Sequence, residues 1–354
     1  MKKKNYVINF VLILALTIGA LWWALHDNFS EVIDLLSGIK WYWFLAIFLY
    51  GAAYNMIIGW IYKILGRKNK KDYSYKEGLQ IAFVGAFFSG ITPSATGGQF
   101  GQAYVMKHQG IKLSDGASIL WIDFIIYQSV MVVYSTVLMF LRFNYYYTEQ
   151  SSFFLLVLIG YVVNSAVIVL LFTMAFFPNL YEKLSRGVVR FLAKIHIIKD
   201  PDKTIAAWTM QLQAFTKEIK KIKHMKKMII KCAILNFIRL TVLYTLPLFI
   251  ALTMGIDVNM GMLLDIITMS AFVNIANAFF PVPGASGGTE AAFMLIFATM
   301  FTQAATNSIM ILWRFSTYHM IILVGGLTFV YLKSKYDRNK ESDLLKEEYE
   351  LEGE

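Results

Sequence analysis

The sequence predicts an all-α polytopic membrane protein with about six full spans, two re-entrant broken-helix hairpins and inverted-topology repeats. Three observations carry that reading. Of 354 residues, 57% are hydrophobic and 16% charged, against roughly 45–50% and about 25% in an average soluble domain. The charges cluster between apolar runs that reach the roughly 20 residues needed to cross a bilayer. One short motif, P-x-A-[ST]-G-G, breaks an apolar segment at Pro93–Gly98 and again at Pro283–Gly288.

The spans are placed at 7–25, 41–62, 116–141, 151–177, 228–254 and 307–331. The first, in MKKKNYVINFVLILALTIGALWWAL, resembles a signal peptide. Its apolar core is too long for one and no small-x-small cleavage site follows, so it is read as a retained span. WYWF at 41–44 and FNYYY at 143–147 end spans as interfacial anchors. Cys232 is the one cysteine and stands in an apolar segment, which excludes an intramolecular disulfide and cysteine-cluster metal sites. The domain reading is a single transmembrane domain at 1–335, comprising a first half 1–177, a basic loop 178–227 and a second half 228–335. An acidic cytoplasmic tail, expected to fray, occupies 336–354.

Loop charge sets the orientation. Residues 63–76 carry Lys63, Arg67, Lys68, Lys70, Lys71 and Lys76 against Asp72, and 178–227 carry twelve Lys/Arg against four acids. The opposite loops are poor in positive charge: 26–40 has Lys40 against Asp27, Glu31 and Asp34, and 255–262 has Asp257. Positive loops stay inside, so both termini are read as cytoplasmic in the cell membrane. The basic loop has helical character, broken at Pro201. Its KEIKKIKHMKK stretch, 217–227, reads either as a helix lying on an anionic leaflet or as a positive stop before the next span. The net charge of +10 sits in these juxtamembrane loops, with no nucleic-acid-binding module.

The two motif segments are too short to span singly. Residues 78–92 run into Pro93, and 99–110 bring the chain back; 263–280 run into PVPGASGG, and TEAAFMLIFATMFTQAA returns. Each pair either re-enters from one side or crosses fully, and parity allows both. Re-entry from opposite sides gives inverted repeats. Open backbone is tolerated at that depth only where protein or water surrounds it. The prolines end what precedes them. Gly97, Gly98, Gly287 and Gly288 then permit positive φ or close approach. Thr96, Ser286 and Thr289 are candidate helix caps, leaving N–H groups for an anion. Tight-crossing glycines are the competing reading.

Asp123, Arg239, Asp265, Glu290 and Arg314 fall in or near apolar segments. Charge there is costly and meets a partner or a polar interior. Two roles compete: structural pairs, such as Arg314 with Glu290 and Arg239 with Asp265, or arginines that grip a phosphate. Gln99, Gln102, Gln128, Asn236, Asn274 and Asn277 supply neutral polar lining. His319, one turn beyond Arg314, reads as a core or interface histidine, with a proton site as the competing reading. No Ser-His-Asp set or HExxH spacing appears.

GITPSATGGQFGQAYVMKHQGI (90–111), Asp123, FFPVPGASGGTEAAF (279–293), Arg314, Tyr318 and Gly325 together resemble the multispanning flippase domain of lysylphosphatidylglycerol synthase/flippase proteins, over roughly 5–335. The resemblance implies binding and translocation of a polar lipid. It places Pro93, Gly98, Asp123, Pro283, Gly288, Glu290 and Arg314 at a headgroup cavity. Family members commonly carry an acid and then an arginine where this chain has Gln99 and Gln102. The bifunctional members also carry a soluble lysyl-transfer domain, for which the short segment after the last span leaves no room.

The function expected is a lipid flippase or transporter, without lysyltransferase chemistry and without a cofactor or metal. The alternatives are a lipid-binding accessory subunit and an ion-coupled solute transporter. The expected substrate-binding residues are Pro93, Gly97, Gly98, Gln99, Gln102, Asp123, Arg239, Pro283, Gly287, Gly288, Glu290 and Arg314. The expected partners are a membrane phospholipid, anionic or lysylated phosphatidylglycerol, and a second copy in a homodimer, with no nucleic acid.

Overall fold

The computed structural model describes residues 29–149, 151–222, 225–277, 280 and 282–352. The span expected at 7–25 lies outside them. Among the described residues the chain is helical throughout: α1 (Phe29–Ser37), α2 (Trp41–Gly66), α3 (Tyr75–Gly90), α4 (Gly97–His108), α5 (Leu113–Glu149), α6 (Ser151–Phe176), α7 (Pro178–Lys194), α8 (Pro201–Ile222), α9 (Lys226–Thr253), α10 (Leu263–Ala276), α11 (Gly288–Phe297), α12 (Gln303–Arg314) and α13 (Met320–Glu352). Five stretches are long and apolar enough to cross a membrane: Trp41–Gly66, Leu113–Phe143, Val157–Met174, Lys226–Thr253 and Gln303–Arg338. They match the five expected spans that the structure describes.

α2 and α9 form the central pair and run antiparallel. Tyr50 stacks on Phe249 at 4.9 Å and bonds Thr245 at 2.8 Å. At the other end, Ile61 and Leu65 share a buried cluster with Cys232. Each end of this pair anchors one core. Ile61, Leu65, Ile81, Val84 and Val105 fill the first. Leu246, Ile250, Met269, Phe272, Phe293 and Ile309 fill the second.

α3 folds back along α2. Its start is fixed by a capping box: Glu77 N–H donates to Ser74 Oγ at 3.2 Å, and Ser74 N–H donates to Glu77 Oε2 at 2.7 Å. Gly78 lies so close to the Gly59 carbonyl that a Cβ there would collide with it, so small residues set this crossing. α4 returns antiparallel to α3. It ends at Gly110, whose φ of 87° suits glycine. The Gln109 side chain bonds the Tyr73 hydroxyl and, at 3.2 Å, the Glu77 carbonyl. The hairpin therefore begins and ends at one place. Lys70 also bonds Glu77, at 2.8 Å, which raises its ammonium above the usual lysine value.

The basic loop folds as two helices, α7 and α8, and Pro201 starts the second. α7 exposes Leu180, Leu184, Val188 and Phe191 at helical spacing, beside Lys183, Arg186 and Arg190. The acidic segment expected to fray continues α13 as far as Glu352. Its Leu, Lys and Glu are strong helix formers with no proline among them.

Candidate functional site

Both motifs build the same turn. Pro93–Ala95 and Pro283–Ala285 are single 3₁₀ turns led by proline. Ala95 N–H donates to the Thr92 carbonyl at 3.2 Å, and Ala285 N–H to the Val282 carbonyl at 3.0 Å. Thr96 and Ser286 then donate to the carbonyls of Pro93 and Pro283, both at 3.2 Å. The left-handed backbone falls earlier than the glycine pairs: at Ser94, Ala95, Gly284 and Ala285, with φ of 51°, 55°, 61° and 50°. Of the four paired glycines, Gly287 alone has positive φ, 83°. Gly97, Gly98 and Gly288 serve close approach instead, since a Cβ would strike Thr92, Ser89 and Phe280 respectively.

Capping also differs from expectation. Thr96 turns back to the Pro93 carbonyl. Gly97 N–H donates to Thr92 Oγ1 at 2.8 Å, and Gly287 N–H to Glu290 Oε2 at 2.8 Å. Thr289 bonds Asn277 at 2.8 Å. These first-turn amides are thus occupied from within the chain, and the geometry is that of packed turns.

The two turns pack against each other. Tyr318 joins them: its hydroxyl donates to the Gly90 carbonyl at 3.1 Å, and its ring lies where a Gly284 side chain would be. Tyr318 stands in a π turn, Phe315–His319, directly after Arg314. Such widened turns often sit at functional positions, and no sequence pattern announced this one.

Arg314 is committed to the second turn. Nε donates to Glu290 Oε1 at 2.7 Å, and Nη2 to the Gly284 carbonyl at 3.3 Å and Ser286 Oγ at 3.4 Å. Its guanidinium lies 4.2 Å from the Tyr318 ring centroid. Both ion-pair partners are buried. The pairing expected for Asp265 is replaced: it meets Arg142 at 2.6 Å, because α5 and not α9 brings a cation to that end of α10.

Arg239 contrasts with Arg314. It is 4% exposed, and no carboxylate among the described residues lies within ion-pair distance. Its guanidinium faces the rings of Tyr127 at 4.3 Å and Tyr54 at 5.3 Å. Its Nε has no hydrogen-bond partner among the described residues. It borders a cavity of about 310 Å³ between α2, α3, α4, α5 and α9. Gln99, Gln102 and Asp123 line the same space. Gln102 donates to the Tyr62 hydroxyl at 2.9 Å, and Tyr62 donates to Asp123 Oδ2 at 3.1 Å. Asp123 Oδ1 has no partner among the described residues.

A second cavity, about 210 Å³, is bordered by Arg314, Tyr318, Ser270, Asn274 and Asn277. Leu243 also borders it, one helical turn before Pro247, whose missing N–H leaves the Leu243 carbonyl without its usual helical partner. Tyr54, Asn55 and Ala86 border both cavities. Of the twelve expected site residues, Gln99, Gln102, Asp123, Arg239 and Arg314 line a cavity. Glu290 stands behind Arg314. Pro93, Gly97, Gly98, Pro283, Gly287 and Gly288 shape the turns and line neither cavity. Asn236 donates to the Cys232 carbonyl and Gln128 donates to Asn164, and neither borders these two cavities.

A family model described as the lysylphosphatidylglycerol synthase TM region matches residues 10–325. The chain belongs to that family. The matched region spans both halves, both turns and both cavities. It is the transmembrane part alone, without the lysyl-transfer domain. The chain is also similar to a UPF0104 membrane protein of Archaeoglobus fulgidus, 21% identical over 311 residues, covering 87% of this chain and 92% of that protein. This family member is therefore a multi-pass membrane protein built around a paired turn.

Proposed function

We propose that the protein handles a polar phospholipid and moves it between the leaflets of the cell membrane. The observation that carries this is the repeated turn: two matched breaks pack against each other, the first exposed at Pro93–Thr96 and the second part-buried, beside two cavities that share a wall. Irregular backbone at bilayer depth belongs beside a cavity, and paired broken helices are a transporter arrangement. The antiparallel α2–α9 pair, each followed by its own hairpin, supports inverted repeats. On this reading residues 7–25 supply the sixth span and both termini are cytoplasmic. The lipid is an anionic or lysylated phosphatidylglycerol.

Purified protein in vesicles should move a fluorescent short-chain phosphatidylglycerol between leaflets, where protein-free vesicles do not. Binding without transfer would make the protein an accessory lipid-binding subunit. Topology is tested by cysteine labelling after Cys232, which is buried, is replaced by Ala. Ser94→Cys should label from the cytoplasmic side and Ala285→Cys from outside. The reverse pattern removes the inverted hairpins.

A further inference from the structure

A buried arginine without a carboxylate is costly, because desolvation is compensated only by a partner. Arg314 has its partner and Arg239 does not. Two tyrosine rings hold the Arg239 guanidinium. Cation–π contact of this kind stabilises the charge but leaves the planar N–H donors unused. Across the same cavity, Asp123 has one oxygen held by Tyr62 and one free. The two charged groups share one space without closing on each other. A structural pair would have closed, as Arg314 with Glu290 and Arg142 with Asp265 have done.

We propose that this cavity binds a phosphate-ester headgroup at two points, with its phosphate on Arg239 and a hydroxyl or ammonium donor on Asp123 Oδ1. The planar guanidinium fits two phosphate oxygens at once. The free carboxylate oxygen accepts only from a group that can donate. Gln99 and Gln102, uncharged at this wall, add no competing ion. The site therefore selects headgroups that carry a donor, glycerol or ethanolamine, and disfavours choline, whose quaternary nitrogen has none. This rests on the lipid-handling reading and deepens it by assigning the headgroup chemistry to the first cavity. The second turn, whose arginine is already paired, plays no part in this recognition.

The test is equilibrium binding to the full chain in detergent, using short-chain phosphatidylglycerol, phosphatidylethanolamine and phosphatidylcholine, with inorganic phosphate as a fourth probe. Phosphatidylglycerol and phosphatidylethanolamine should bind about tenfold more tightly than phosphatidylcholine, the factor that one charge-assisted hydrogen bond supplies. Arg239→Lys keeps the charge but not the fork, and should weaken both preferred lipids about tenfold. Removing either charge alone risks misfolding, so the decisive variant is the neutral pair Arg239→Gln/Asp123→Asn. It should keep the wild-type melting temperature within a few degrees and lose headgroup binding.

Equal affinity for phosphatidylcholine overturns the donor point. Wild-type binding by the double variant overturns the site. Inorganic phosphate that binds while the lipids do not identifies a free anion and overturns the headgroup assignment. Binding as expected, with no transfer in vesicles, leaves this site standing and removes the transport reading. Transfer that persists in a double variant unable to bind leaves the transport reading standing and removes this site.

Discussion

Arg314→Ala should destabilise the protein by about 3–5 kcal/mol, the cost of leaving one member of a buried ion pair alone. Glu290 is 3% exposed, so its carboxylate is left buried without its ion-pair partner. The same substitution releases the Gly284 carbonyl and Ser286 Oγ, which Arg314 holds at 3.3 and 3.4 Å. Glu290→Ala should cost as much. It strands the arginine and frees the Gly287 N–H at the start of α11. A charge-free double variant tests whether the loss comes from the stranded charge rather than from packing. Arg314→Met with Glu290→Gln removes both charges while Gln keeps an acceptor for Gly287, and it should recover at least half of the loss. Unfolding followed by tryptophan fluorescence in detergent measures all four proteins. Single variants within about 1 kcal/mol of wild type, the range of an exposed pair, would mean that this ion pair does not hold the second turn.

That expectation assigns the arginines different work, which the sequence alone could not do. Composition and loop charge were enough for the membrane class and for five of the spans, because apolar length is a property of consecutive residues. The duplicated motif was legible for the same reason: both copies lie in the linear text. The left-handed positions were displaced to Ser94 and Ala285 because neither residue type advertises that backbone, whereas the neighbouring glycines do. The Arg314–Glu290 pair was readable from a broken helix and its returning first turn. Arg142 opposite Asp265 was not, since it depends on how α5 meets α10. Nothing in the sequence singles out Tyr54, Tyr62 and Tyr127 among the 20 tyrosines. Their inward role follows from facing Arg239 and Asp123, which only the packing of α2, α5 and α9 reveals. The π turn carrying Tyr318 has no proline or glycine to mark it.

Ala86→Phe should reduce lipid transfer in vesicles at least about tenfold, the change that ~1.4 kcal/mol of added barrier produces. Ala86 stands one helical turn before the end of α3 and borders both cavities with Tyr54 and Asn55. If a headgroup passes from the Arg239 side to the Arg314 side, it must cross this wall. A phenyl ring there narrows the crossing without removing any charged group. Overpacking costs about 1–3 kcal/mol, so the melting temperature is measured alongside, and Ala86→Ser serves as a small control that should transfer at the wild-type rate. Headgroup binding at Arg239 should stay within about threefold of wild type, under 1 kcal/mol. Transfer at the wild-type rate in Ala86→Phe would mean that the two cavities do not act in series. Equal loss of binding and transfer would place the obstruction in the first cavity itself. Loss of transfer with binding retained would separate a carrier from a lipid-binding subunit, because only a carrier needs the wall between its two cavities to open.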